Sequence, residues 1–291
     1  MSLSIITHRG LDPDISGFPM ESSIESFAKH LERGFGLEFD VLFTKDDRMV
    51  IIHDGSLKRL TKGHDERVIK DLTLDEIKNV DFGGSHLTDF STLIGLIKEK
   101  QQLGQISALH IKSGVQADDK VSAIMEALVA SGVEPEKLII FDLKPKTARF
   151  IKSKWSQFAL SASLSHPYDA ERFNGAVGQT LLTMEEFLSH TDVFSWAWLD
   201  EWDRRDGKGG DKTLYNKEVF DELQKNGVKI ALVTADLHFT TPGQLGGGDH
   251  EDGEGNRLEA RNREIVALRP DAICTDHPDR VRMLIDEIIG K

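Results

Sequence analysis

The sequence predicts an α/β protein folded as a single (β/α)8 barrel, and three observations carry that expectation. Apolar strand-like runs fall near residues 3–8, 37–43, 106–112, 137–142, 157–163, 192–199, 228–234 and 271–275. Amphipathic helical stretches alternate with them near 22–34, 88–101, 117–131, 144–154, 184–190, 216–226, 257–268 and 278–289. No linker-like stretch breaks the alternation, which favours one unit over residues 1–291. The length of 291 residues suits the fold, which typically takes about 250. A doubly wound open sheet would give a similar alternation.

In chain order, residues 3–8 read as a core strand running into His8-Arg9-Gly10, so no signal peptide is expected. Ser22, with Glu25 three residues later, suggests a capping box that opens the first helix. Successive strand side chains alternate faces, so Glu38 and Asp40 share one side of the second strand while Leu37, Phe39 and Val41 share the other. Residues 44–87 interrupt the rhythm with a hairpin-like return from Thr44-Lys45-Asp46-Asp47 into Met49–Ile52, followed by a polar insertion. On the third strand Leu109 and Ile111 face the helices, leaving Ala108, His110 and Lys112 inward, and the same parity groups Trp196, Trp198 and Asp200 on the sixth. Residues 236–256 form a second interruption, rich in Gly, Asp and His. Insertions after barrel strands commonly shape the active-site mouth, which lies at the strand C-terminal ends. Asp249-His250-Glu251-Asp252, with Asp236 and His238, could suggest a second metal, but the flanking glycines favour a solvated loop.

The formal net charge of −13 argues against nucleic acid or an anionic membrane surface as a partner. Cys274 is the only cysteine, which excludes an intrachain disulfide and a thiolate metal cluster. No apolar run is long enough for a membrane span, so no membrane anchor is expected and a reducing cytoplasm is the expected location.

Glu38 and Asp40 stand inside an apolar run, where two unneutralised carboxylates would each lose several kcal/mol of hydration and repel one another. A divalent cation resolves that conflict, because hard metals take oxygen ligands. His8 and His53 supply two proton carriers, and Arg9 a cation beside them. This is a phosphodiesterase-like inventory.

These residues resemble the glycerophosphodiester phosphodiesterase family. His8-Arg9-Gly10, Glu21, Glu38-Phe39-Asp40-Val41, Thr44-Lys45-Asp46-Asp47 and His53-Asp54 follow its HRG, PENT-like, ExDV, TKDG and HD pattern in order and spacing. Leu57-Lys58-Arg59-Leu60-Thr61 is similar to its LxRTT piece, and Thr275-Asp276-His277-Pro278 to its TDxP ending. The resemblance implies a (β/α)8 barrel with a small insertion after strand two. It implies that His8 and His53 are the acid–base pair, that Glu38 and Asp40 bind metal, and that Arg9 and Lys112 contact phosphate. Trp198 is a candidate substrate-facing residue. The implied reaction is hydrolysis of a small glycerophosphodiester to sn-glycerol 3-phosphate and an alcohol. A sugar phosphodiester or a lysophospholipid is the alternative substrate, and a non-catalytic phosphate-binding barrel the alternative class.

Two departures stand out. The PENT-like segment is Met20-Glu21-Ser22-Ser23, keeping only its Glu, and His110 stands where the family commonly has a third acidic ligand. The expected cofactor is one divalent cation, Mg²⁺ or Ca²⁺ by the family pattern, with Mn²⁺ or Zn²⁺ admitted because imidazole replaces a carboxylate.

Overall fold

A computed structural model describes residues 3–202, 204, 212–237 and 250–290. Eight strands run parallel: β1 (Ser4–Thr7), β2 (Gly36–Phe43), β4 (Ser107–His110), β5 (Leu138–Phe141), β6 (Ala159–Leu164), β8 (Trp196–Leu199), β9 (Lys229–Val233) and β10 (Ala272–Thr275). β1 pairs with β10 on one side and β2 on the other, which closes the barrel. Two short strands lie off this cylinder. β3 (Met49–Ile51) returns antiparallel along β2, Val41 opposite Ile51, and β7 (Leu181–Leu182) runs beside β6. The described helices are α1 (Ile24–Glu32), α2 (Leu74–Lys78), α3 (Phe90–Lys100), α4 (Asp118–Ser131), α5 (Pro145–Lys154), α6 (Pro167–Val177), α7 (Met184–Leu188), α8 (Lys217–Lys225), α9 (Gly255–Leu268) and α10 (Pro278–Ile288). Among the described residues no helix is long and apolar enough to cross a membrane.

Strand parity divides the core into two layers. Leu37, Phe39, Val41, Leu109 and Ile111 pack outward against the helices, while Ile6, Ala108, Ile139, Phe141, Trp196 and Trp198 fill the barrel interior. The insertion after β2 carries a smaller core of its own, built on Val50, Ile52, Leu57, Ile69, Leu74 and Ile77. β2 opens on Gly36, where a side chain is excluded because a Cβ would lie 1.9 Å from the carbonyl oxygen of Ile106.

The structure departs from the sequence reading in three places. Between β6 and β8 it adds α6 and β7, where the sequence reading has only a helix at 184–190. The signals for α6 are visible in hindsight: Pro167 at its first turn, His166 capping the Tyr168 N–H, and Gly178 closing it in the left-handed conformation. The cap of α1 is Ser23, accepting from the Ser26 N–H, and not Ser22. Ser22 itself takes φ 59° and donates its N–H to the Arg9 carbonyl at 2.7 Å, so its backbone is spent on the His8–Gly10 turn. Finally, of the 236–256 segment, residues 238–249 lie outside the described residues, while His250 and Asp252 are buried rather than solvated.

α1 holds that turn from behind. Gly10 has φ 74°, and a Cβ there would come 2.5 Å from the Ser26 hydroxyl. The buried His30 of α1 donates Nε2–H to the Gly10 carbonyl at 3.2 Å, and burial, then the nearby Arg33, lower its pKa to about 4. The folded state therefore binds fewer protons than the unfolded one between about pH 4 and 6.5. His30 contributes stability that is fully present above 6.5 and lost as pH falls toward 4, about 2 kcal/mol by pH 5. Denaturant unfolding of wild type and His30→Gln at pH 7.5 and 5 checks this. Wild type should lose about that much more than the variant, and equal losses in both would remove His30 from the account.

Candidate active site

Parity and register bring the polar residues together at the C-terminal mouth of the barrel. Asp40 of β2 lies directly across from His110 of β4. Glu38 and Asp40 are only 4% and 1% exposed, so their charges depend on neighbours rather than on water. Nδ1 of His110 is 2.8 Å from Asp40 and 3.8 Å from Glu38. Lys112 Nζ is 3.2 Å from Asp40, Arg9 Nε is 3.8 Å away, and the Arg9 backbone N–H donates to Glu38 at 3.2 Å. Burial raises the pKa of both carboxyls, and the two respond oppositely. Glu38 is raised further by Asp40, whereas Lys112, His53 and His110 bring Asp40 well below the usual carboxylate range.

One ligand atom from each of Glu38, Asp40 and His110 lies within 4.8 Å of the others, a span one ion can bridge. Both Asp40 oxygens are buried without a well-formed hydrogen bond. An oxygen-rich set with orphaned carboxylate oxygens and one imidazole fits a divalent cation. Among the described residues this is the one such grouping. Among the described residues the candidate second site does not form: Asp252 pairs with Arg204 at 2.8 Å, and His250 Nδ1 accepts from the Asp252 N–H. Asp236 instead accepts from the Asp276 N–H at 2.8 Å. His238 and Asp249 lie outside the described residues.

The two candidate proton carriers reach this cluster from different elements. His8 directly follows β1, and its Nδ1–H donates to Asp276, just beyond β10, at 2.9 Å. His53 arrives through the β2–β3 hairpin, and its Nδ1–H donates to Asp54 at 2.6 Å. In each case the carboxylate fixes the tautomer and leaves Nε2 as the nitrogen that can exchange a proton. Asp54 is held in turn by Arg59 Nε at 2.6 Å, and Arg59 forks onto Glu21 at 2.9 and 2.5 Å. The worn LxRTT piece and the surviving Glu of the PENT-like segment thus serve one purpose, orienting His53. His53 and Arg59 keep the Asp54 carboxyl well below its ordinary range despite burial.

The sequence reading did not single out Asp142. It accepts from His110 Nε2–H at 3.1 Å and from the Ser163 hydroxyl at 2.7 Å. A charged residue directly after the apolar run of β5 was the available signal. Trp198 is buried against Phe141, ring centroids 4.0 Å apart, and both line a cavity of about 260 Å³ that opens beside His53, His110 and Lys112. Val177, Leu181 and Trp202 form its apolar wall.

Burial, with help from the charges of Arg9 and Lys112, holds the His53 pKa at about 4. The ring is then neutral at neutral pH and able to accept a proton. A ¹⁵N-resolved NMR titration should show His53 as the Nδ1–H tautomer, with its midpoint near 4. A midpoint near the ordinary 6.5 would mean that water reaches the ring freely.

The glycerophosphoryl diester phosphodiesterase family profile matches residues 8–280. A glycerophosphodiester phosphodiesterase of Caldanaerobacter subterraneus is 37% identical over 124 residues, 40% of this chain and 47% of that one, so the match spans about half the relative's length. Among solved structures, a phosphodiesterase of Oleispira antarctica in complex with the product sn-glycerol 3-phosphate superposes with a TM-score of 0.64 at 19% identity, covering 97% of this chain and 96% of that one. The glycerophosphodiester phosphodiesterase of Thermotoga maritima gives 0.59 at 19% identity, with 99% of both chains covered. At such identities the structures speak for the barrel alone. The sequence profile, running from His8 to beyond Asp276, goes further: this chain belongs to the glycerophosphoryl diester phosphodiesterase family.

Proposed function

We propose that this protein hydrolyses a small glycerophosphodiester to sn-glycerol 3-phosphate and an alcohol, with His8 and His53 exchanging the protons and Glu38, Asp40 and His110 holding one divalent cation. The observation that carries the reading is the pairing of two carboxylate-oriented histidines around one buried carboxylate cluster. Such a cation, when bound, supplies Lewis-acid polarisation of a phosphoryl oxygen. Arg9, whose Nε and Nη1 are buried without a hydrogen bond, offers donors to a phosphate, and Lys112 a second positive charge. One histidine takes the proton of the attacking oxygen, which in the step that yields the phosphomonoester is that of a water molecule, and the other protonates the departing alkoxide. Asp276 and Asp54 keep both rings aimed and stabilise the imidazolium form as it appears.

The apolar wall of Val177, Leu181, Trp198 and Trp202 favours a second reading of the alcohol side, in which a lysophospholipid is accepted. Turnover of glycerophosphocholine against lysophosphatidylcholine separates the two. A non-catalytic phosphate-binding barrel is disfavoured by the retention of both histidines with their carboxylates.

Two measurements test the reaction. His8→Ala and His53→Ala should each lower kcat by about 10²- to 10⁴-fold, and the double variant should be scarcely worse than either single one. Near-native turnover by either variant on a substrate with a poor leaving alcohol would overturn the assignment. Calorimetry on Glu38→Ala/Asp40→Ala should show no dication binding in a folded protein, and undiminished affinity would remove the metal from the scheme.

A further inference from the structure

β5 should alternate like any strand. Ile139 and Phe141 belong to the barrel interior, so Asp142 ought to point outward. It does not, because Asp142 takes φ 64°, a left-handed conformation uncommon for a residue other than glycine. That single kink breaks the alternation and swings the carboxylate back over the mouth, where it receives His110 Nε2–H. The strain is braced: Gln116 donates to the carbonyls of both Ile111 and Asp142 and accepts from the Lys144 N–H. Ser163 of β6 fixes the second oxygen of the Asp142 carboxylate. The His110 ring is also held across its face, stacked on Phe141 at 4.6 Å, which is stacked in turn on Trp198. Its rotation is therefore stopped both in the ring plane and perpendicular to it.

We propose that Asp142 is a positioning residue for the metal site, holding His110 by Nε2 so that Nδ1 is presented between Glu38 and Asp40. The inference rests on the metal reading above. It assigns the Asp142 kink, the Ser163 hydroxyl and the aromatic stack to one task, a carboxylate–imidazole–metal relay. In such relays the outer carboxylate fixes the tautomer and makes the imidazole a better donor, and its loss typically costs about 10- to 100-fold in metal affinity. A carboxylate third ligand would need no such partner, having no tautomer to choose. The relay thus accompanies the exchange of acid for imidazole at position 110 and directs the site toward Mn²⁺ or Zn²⁺ over Mg²⁺ or Ca²⁺.

The test is a cycle of metal affinities, measured by calorimetry on metal-stripped protein with Mn²⁺ and with Mg²⁺. The proteins are wild type, Asp142→Asn, His110→Glu and the double variant. Asn is chosen because it tolerates the left-handed backbone, and Ser163→Ala, which loosens the carboxylate without touching the kink, provides a second variant. Asp142→Asn should lower Mn²⁺ affinity about 10- to 100-fold, with Ser163→Ala lowering it less. In the His110→Glu background, Asp142→Asn should cost nothing, and the preference for Mn²⁺ over Mg²⁺ should shrink. Equal Mn²⁺ affinity in wild type, Asp142→Asn and Ser163→Ala overturns the inference while leaving the metal reading intact. An equal loss on Asp142→Asn in both backgrounds also overturns it, because Asp142 would then act independently of His110. Wild type that binds no dication overturns the metal reading itself, and this inference with it.

Discussion

Two carboxylates one pleat apart on a buried strand are the constraint to which the rest of this molecule answers. Two like charges about 5 Å apart repel by on the order of 3 kcal/mol at an effective dielectric constant of 20, before any cost of dehydration is counted. Glu38 and Asp40 can stay in the barrel mouth only if positive charge is brought to them. The fold supplies it from three directions: the Arg9 side chain and backbone N–H beyond β1, Lys112 beyond β4, and His110 across the register. The opposite shifts of Glu38 and Asp40 show that the compensation is uneven. Asp40 is well served, whereas Glu38 is left closer to protonation. A divalent cation would relieve both at once.

The same device secures each histidine of the mouth. His8, His53 and His110 each give one ring nitrogen to a carboxylate contributed by another part of the chain or by the next residue: Asp276, Asp54 and Asp142 respectively. An imidazole has two distinct nitrogens and a free ring axis, so its usefulness depends on what holds the other side. Burial then separates their behaviour. His53 is driven neutral, whereas the carboxylates of Asp142 and Asp40 overcome the cost of burial and raise the pKa of His110 to about 9. A proton and the proposed cation would thus compete for the same nitrogen of His110.

The insertion after β2 explains why a barrel needs a decoration here. β2 alone delivers Glu38 and Asp40, but the antiparallel return through β3 brings His53 and Asp54 back over them. The small core beneath the insertion, together with the Glu21–Arg59–Asp54 chain of ion pairs, keeps that return from swinging. Opposite it, α6 and the aromatic residues Phe141, Trp198 and Trp202 close the cavity with apolar surface. The mouth is therefore polar beside the buried carboxylates and apolar along the facing wall.

Local chemistry made much of this legible in the sequence. The period-two alternation of Leu37–Val41 and of Ala108–Lys112 determined which side chains face inward, because a strand has only two faces. The spacing from His8 to His53 carried the family resemblance, and the strand–helix alternation the barrel. What the sequence did not reveal were properties of pairs distant in the chain. Ser22 looks like a cap, but its backbone is needed by the turn at Arg9, so Ser23 caps instead. α6 carried readable signals at both ends, yet only its packing beside β6 and β7 showed what it covers. Asp142 reads as an outward residue by parity, and a left-handed backbone braced by Gln116 turns it inward. Alternation follows from the covalent geometry of one strand, and so the sequence by itself determined it. Breaking that alternation costs strain, which a single strand cannot sustain, so only the assembled barrel decided where Asp142, and through it His110, would point.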